Sequence, residues 1–111
     1  MPRSRPLPLL QGTLDLLVLR ALAAGSNHGY GVALLVSDRT DGVLAIEDAA
    51  LYQSLHRLER LGFVEAEWRA SDNNRRARYY TLTTEGRKRL RQEAASWRRY
   101  AHAVEALLEG A

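Results

Sequence analysis

With 111 residues, 46% of them hydrophobic and 26% charged, the chain has room for one small globular domain, and its composition is neither that of a disordered chain nor that of a membrane protein. The absence of cysteine excludes disulfides, thiolate metal sites and cysteine nucleophiles, and fits a cytoplasmic setting. The net charge of +3 is mild but unevenly spread: ten basic residues between Arg69 and Arg99 stand against three acidic ones, so the second half carries the cationic surface.

The opening Met1-Pro2-Arg3-Ser4-Arg5-Pro6 is basic and proline-broken and reads as a flexible arm rather than a secretory signal. After Thr13, a candidate N-cap, Leu14, Leu17, Val18 and Ala21 recur at helical spacing until Gly25-Ser26-Asn27 ends the run. This is the most apolar stretch of the chain. Asp15 and Arg20 interrupt it, and it falls well short of the roughly 20 residues that a bilayer span requires. Asn27-His28-Gly29 reads as a turn, and Tyr30 to about Arg39 as a second helix with Val32, Leu35 and Val36 on one side, stopped by Thr40-Asp41-Gly42. A short apolar linker follows, and Asp48 is placed to cap a third helix that runs to Leu61. Gly62 breaks that helix. Residues 63–70 then alternate at the period of a strand, Ser71-Asp72-Asn73-Asn74 supplies a turn, and Arg76 to Leu82 forms the second strand of a hairpin. Thr83 or Thr84 caps a final helix that continues to about Leu108.

The third helix has two unlike faces. Leu51, Leu55 and Leu58 fall together, while Ala49, Gln53, His56 and Arg60 centre on the other side, flanked by Tyr52 and Arg57. Any surface helix carries polar residues, so this face alone does not separate a solvated surface from a reading surface. The context does. Two short helices before it make a helix-turn-helix, and the hairpin after it carries Arg75, Arg76 and Arg78, where a wing would rest on a nucleic-acid backbone. The expected fold is therefore mainly α with a small β-hairpin. A winged helix-turn-helix occupies residues 7–83, and a long C-terminal helix, residues 84–111, serves dimerisation. No enzyme, cofactor or metal site is expected: His28, His56 and His102 lie in separate elements without ligand spacing, and no phosphate-cradling loop or nucleophile elbow is present. The competing reading is a winged helix used only for protein contacts, for which neutral wing and helix surfaces would be expected.

The chain resembles the PadR-like family of bacterial transcriptional regulators from about Leu10 to Leu108. The resemblance rests on His28-Gly29-Tyr30, on Leu51-Tyr52 with Leu55-His56-Arg57-Leu58-Glu59 and Gly62, on Glu67-Trp68, and on Arg78-Tyr79-Tyr80-Thr81-Leu82-Thr83 with Glu85-Gly86-Arg87. It implies a homodimeric winged-helix protein that binds double-stranded DNA, usually as a repressor on an inverted-repeat operator, and in many members releases DNA when a small, often aromatic or cationic, effector binds. Tyr30, Tyr52, Gln53 and His56 match the family's DNA face, and Arg75 and Arg78 match its wing. Gln53 stands where the family often has proline, and Asn74-Arg75-Arg76 where it often has Gly-Arg-Pro. With Ala49, Arg57, Arg60 and Arg76 from the helical face and the wing, these residues form the expected DNA contact.

In the last helix Leu90, Ala94, Trp97, Ala101, Val104 and Leu108 step by three and four residues, a heptad seam that needs a partner. The seam is expected to pair with the equivalent helix, and with Leu14 and Leu17 of the first helix, in a second copy of the chain. Trp97, with Tyr100 beside it, is the candidate contact for a flat aromatic effector, or else an interface anchor.

Overall fold

A computed structural model describes residues 6–70 and 73–110. Residues 1–5 of the basic arm, Ser71 and Asp72 of the hairpin turn, and Ala111 lie outside the described residues. In chain order the elements are α1 (Leu14–Ala23), β1 (Asn27–His28), α2 (Gly29–Arg39), α3 (Asp48–Arg60), β2 (Val64–Ala70), β3 (Arg76–Leu82) and α4 (Thr84–Glu109). Three helices pack around one core and the sheet stands at its edge. Val18, Leu19 and Leu22 of α1, Val32 and Val36 of α2, and Leu51, Leu55 and Leu58 of α3 meet Val64, Tyr80 and Leu82 of the sheet.

The helix ends explain where each element starts. Thr13 occupies the N-cap of α1, but its hydroxyl donates to the Leu10 carbonyl at 2.7 Å instead of accepting from the helix. For α2 the cap is His28, whose Nδ1 accepts from the Gly31 amide at 3.0 Å. Glu47, not Asp48, is the N-cap of α3. Its side chain makes no cap hydrogen bond, and Asp48 sits inside the first turn, where its charge opposes the positive end of the helix dipole.

The sheet is larger than a hairpin. It has three antiparallel strands in the order β1-β3-β2, because Asn27 and His28 pair with Tyr80 and Tyr79 instead of forming only a turn. In the β2–β3 pair Val64 faces Leu82 and Trp68 faces Arg78, and Asn74 takes the left-handed conformation (φ 62°) that the turn requires. Gly62 (φ 81°) allows the chain to leave α3 and enter β2 within a few residues.

The wing and α4 are joined at one point. Thr83 accepts from the Gly86 amide at 3.0 Å and donates its hydroxyl to the Gly62 carbonyl at 2.7 Å, and its own amide donates to the Phe63 carbonyl at 3.1 Å. Gly86 is buried there, and a Cβ on it would lie 2.0 Å from the Phe63 carbonyl oxygen. Backbone, not a movable side chain, fills that space. Gly86→Ala is therefore expected to lower stability by about 1–3 kcal/mol, the usual cost of overpacking, as read from chemical denaturation midpoints; an unchanged or raised midpoint would contradict the joint.

Candidate nucleic-acid interface

The leucine row fixes which way α3 looks. Leu51, Leu55 and Leu58 are 1%, 0% and 1% exposed, so Ala49, Gln53, His56 and Arg60, on the other side, are all open to solvent. Tyr52 lies on the flank, with its ring across the start of α2. A Cβ on Gly29 would sit 2.7 Å from the Tyr52 hydroxyl, so the glycine is what admits the ring. Tyr30, 71% exposed, projects from the first turn of α2 and stacks on His28 with ring centroids 6.4 Å apart.

The wing faces this surface across a cleft of about 740 Å³. His28, Tyr30, Tyr52 and His56 line one side, and Trp68, Arg75, Arg76 and Arg78 the other. Arginines and aromatic rings interleave on the wing: Arg76 lies over Trp68 at 5.7 Å, Arg78 over Tyr80 at 5.8 Å and Arg69 over Tyr79 at 5.0 Å. Arg78 also pairs with Glu59 of α3 at 2.8 Å, which ties the wing to that helix. Burial raises the Tyr80 phenol above its usual pKa, against the opposing charge of Arg78.

Of the ten residues expected on the DNA face, Tyr30, Tyr52, His56, Arg75, Arg76 and Arg78 line the cleft, and Ala49, Gln53 and Arg60 are exposed on α3. The tenth, Arg57, is turned to α1, where Nε donates to Asp15 Oδ2 at 3.1 Å and Nη2 to Asp15 Oδ1. The physical reason is competition: a carboxylate held nearby by the fold takes the guanidinium fork in a bidentate pair. Sequence reasoning does not place Trp68 or Asp15 at the site. Trp68 shares its strand face with Ala66 and Ala70, a signal that a cross-strand register could have used. Asp15 carries only the signal of a charge inside an apolar run.

The seam of α4 shares no lining residue with this cleft. Leu14, Leu17 and Leu90 pack against the chain's own core, and Ala94 and Ala101 are half-buried. Trp97 and Val104 are each 38% exposed and Leu108 63%, with Tyr100 and Leu107 also open. Trp97 stacks with Tyr100 at 6.4 Å between centroids and closes a cavity of about 320 Å³ whose other walls include Leu7, Leu10, Leu16, Leu17 and Leu44. Among the described residues no helix is long and apolar enough to cross a membrane.

A three-helix core with a three-stranded sheet, and a recognition-type helix beside an arginine-bearing hairpin, define a winged helix-turn-helix protein of the transcription-regulator class. Residues 18–92 match the PadR-like family of transcriptional regulators. A PadR family transcriptional regulator from Eggerthella lenta is 33% identical, with 89% of this chain and 84% of that one covered and a TM-score of 0.74. A PadR family transcription regulator from Clostridium difficile is 25% identical over 87% of this chain and 99% of that one, with a TM-score of 0.75. A transcriptional regulator from Clostridium thermocellum is 26% identical over 86% and 93% of the two chains, with a TM-score of 0.78. The chain belongs to the PadR-like family of transcriptional regulators; it is not an enzyme, and membership implies DNA binding.

Burial pushes the Asp15 carboxyl up, but hydrogen bonds from Arg57 and Ser54, with the charges of Arg57 and Arg89, outweigh it and hold the group below the usual aspartate range. A depressed pKa means that the ionised form stabilises the fold above the unfolded value of about 3.9 and that this contribution is lost as pH falls through the lower folded value. The wild type should therefore exceed the Asp15→Asn variant in stability at neutral pH, and the gap should close on acidification below about pH 4. Urea denaturation along a pH series checks it, and a gap independent of pH would contradict the assignment.

Proposed function

We propose that the protein is a homodimeric, ligand-responsive repressor that binds an inverted-repeat operator. In this reading residues 7–83 are the DNA-binding unit and residues 84–111 the dimerisation helix. Helix α3 enters the major groove with Ala49, Gln53 and His56 toward base edges, Tyr30, Tyr52 and Arg60 at its rim, and Arg75, Arg76 and Arg78 of the wing on the adjacent backbone. Arg57, on the flank of the same helix, is held by Asp15 and is not among these contacts. The observation that carries the reading is the buried leucine row of α3, which leaves Gln53 and His56 exposed, with His56 in one cleft with the arginine-bearing wing.

Duplexes selected by the protein from a randomised pool provide the test. Gln53→Ala and His56→Ala are expected to change which sequences are preferred. Arg75→Ala is expected to weaken binding to all of them and to lower the slope of log affinity against log salt by about 0.9 for each phosphate that is no longer neutralised. Equal losses from all three variants on every sequence would count against the assignment of the reading residues.

The second copy is supported by the exposed apolar stripe of α4. Trp97, Tyr100, Val104, Leu107 and Leu108 continue a seam whose first part is covered by the chain's own core, and an uncovered stripe of this kind marks an interface. Leu14, Leu17, Leu90, Ala94 and Ala101 would complete it, and an aromatic effector would lie against Trp97 and Tyr100. Sedimentation should give twice the chain mass of 12.5 kDa at micromolar concentration, and Leu108→Glu should shift it toward monomer. In a Trp68→Phe background, quenching of the remaining tryptophan by members of a panel of planar aromatic cations would support the effector site. No response across the panel would leave Trp97 as an interface anchor only.

A further inference from the structure

The helix read as the DNA-reading element is fastened to α1 through a single carboxylate. Asp15 accepts from the Ser54 hydroxyl at 2.7 Å and receives the guanidinium fork of Arg57 on both oxygens. Ser54 is fully buried, the one polar side chain in a core otherwise built from apolar groups and Tyr80 among the described residues. A serine hydroxyl facing inward from a leucine row is unfavourable without a partner, and Asp15 is that partner. Ser54 and Arg57 are three residues apart on α3, so two contacts on neighbouring turns converge on one group and fix both the axial position and the roll of the helix against α1.

The clamp also acts on charge. Arg57 follows Gln53 by four residues and precedes Arg60 by three, which places it on the flank of the outward face. Its side chain is still 41% exposed while it holds Asp15. A guanidinium fork binds phosphate as well as it binds carboxylate, so an unclamped Arg57 would add one more sequence-independent contact to a duplex.

Resting on the DNA-binding reading above, we propose that Asp15 is a positioning residue that determines specificity. By holding Arg57 and Ser54 it withholds one cation per protomer from the phosphates and fixes the roll of α3, so that Gln53 and His56 rather than general charge attraction govern where the protein binds.

Affinities for a duplex selected by the wild type and for a scrambled duplex of equal length and composition, each measured by fluorescence anisotropy over a salt series, test the proposal. Asp15→Asn should tighten binding to the scrambled duplex several-fold at low salt, steepen its salt slope by about 0.9 per protomer, and shrink the ratio between the two affinities. Removing a negative charge would raise general affinity by itself, so the deciding measurement is the double variant Asp15→Asn with Arg57→Ala, in which the added slope should vanish. Asp15→Glu should keep the wild-type slope and ratio. An unchanged slope in Asp15→Asn, or an added slope that survives the loss of Arg57, would overturn the proposal. Circular dichroism reports whether the variants fold. If Asp15→Asn does not, Asp15→Ser, which leaves a hydroxyl for Ser54, is read by the same criteria. Wild-type protein that binds neither duplex would instead overturn the DNA-binding reading itself.

Discussion

Burial of the leucine row on α3 is the constraint from which the rest of the molecule follows. Each of Leu51, Leu55 and Leu58 gains about 1.5–3 kcal/mol when taken out of water, whereas outward groups such as Gln53 and His56 add almost nothing to folding. The helix can therefore be held firmly by one side while the other is free to carry recognition chemistry. That separation holds only if the helix cannot roll. Gly62 at one end, which turns the chain at once into β2, and the Tyr52 ring against Gly29 near the other limit the freedom that three leucines alone would leave.

Charge on this protein is arranged by pairing more than by number. The cationic half is rich in arginine, yet Arg69, Arg78 and Arg89 each reach a glutamate, and Arg57 an aspartate. Exposed pairs such as Arg69 with Glu67 contribute little to stability, so their main effect is geometric: they set where a long side chain points. Glu59 does this for Arg78, joining the wing to α3, and aromatic rings do it for Arg69 and Arg76. A guanidinium held over a ring keeps its charge and most of its hydrogen-bonding edge while losing its freedom to swing, which lowers the entropy lost when it meets a phosphate.

The features legible in the sequence are those written in local pattern. Helical spacing marks α1, α3 and α4, alternation marks β2, the turn-forming residues before Arg76 mark β3, and Gly62 and Thr83 mark the boundaries of the wing, because each depends on residues close together in the chain. Features that depend on pairing across the chain are not legible. Strand β1 has only two residues, too few to show a period, and exists because Tyr79 and Tyr80 of β3 offer it an edge. His28 reads as part of a turn, whereas its ring nitrogen caps α2, a role that residue type alone does not announce. Asp48 has the side chain of a cap but not the position, since the extended backbone falls one residue earlier at Glu47. The pairing of Asp15 with Arg57 spans 42 residues, and nothing in either neighbourhood signals the other.

Helix α4 shows how one pattern can serve two purposes. Its 26 residues extend about 39 Å at 1.5 Å per residue, more than the small core can cover. The buried Gly86 and the half-buried Leu90 bind its first turns to the wing base and α1, while beyond Trp97 the seam residues Val104 and Leu108 stand open and Ala101 is half-buried. Trp97 lies where coverage ends, walling the cavity under Leu7 and Leu10 on one side and opening the exposed stripe on the other. On the proposed dimer, the second copy would seat on the same indole that walls this cavity. Its neighbours in the cavity wall, Leu16 and Leu17, follow Asp15 directly on α1. Cavity wall and clamp thus occupy consecutive residues of one helix.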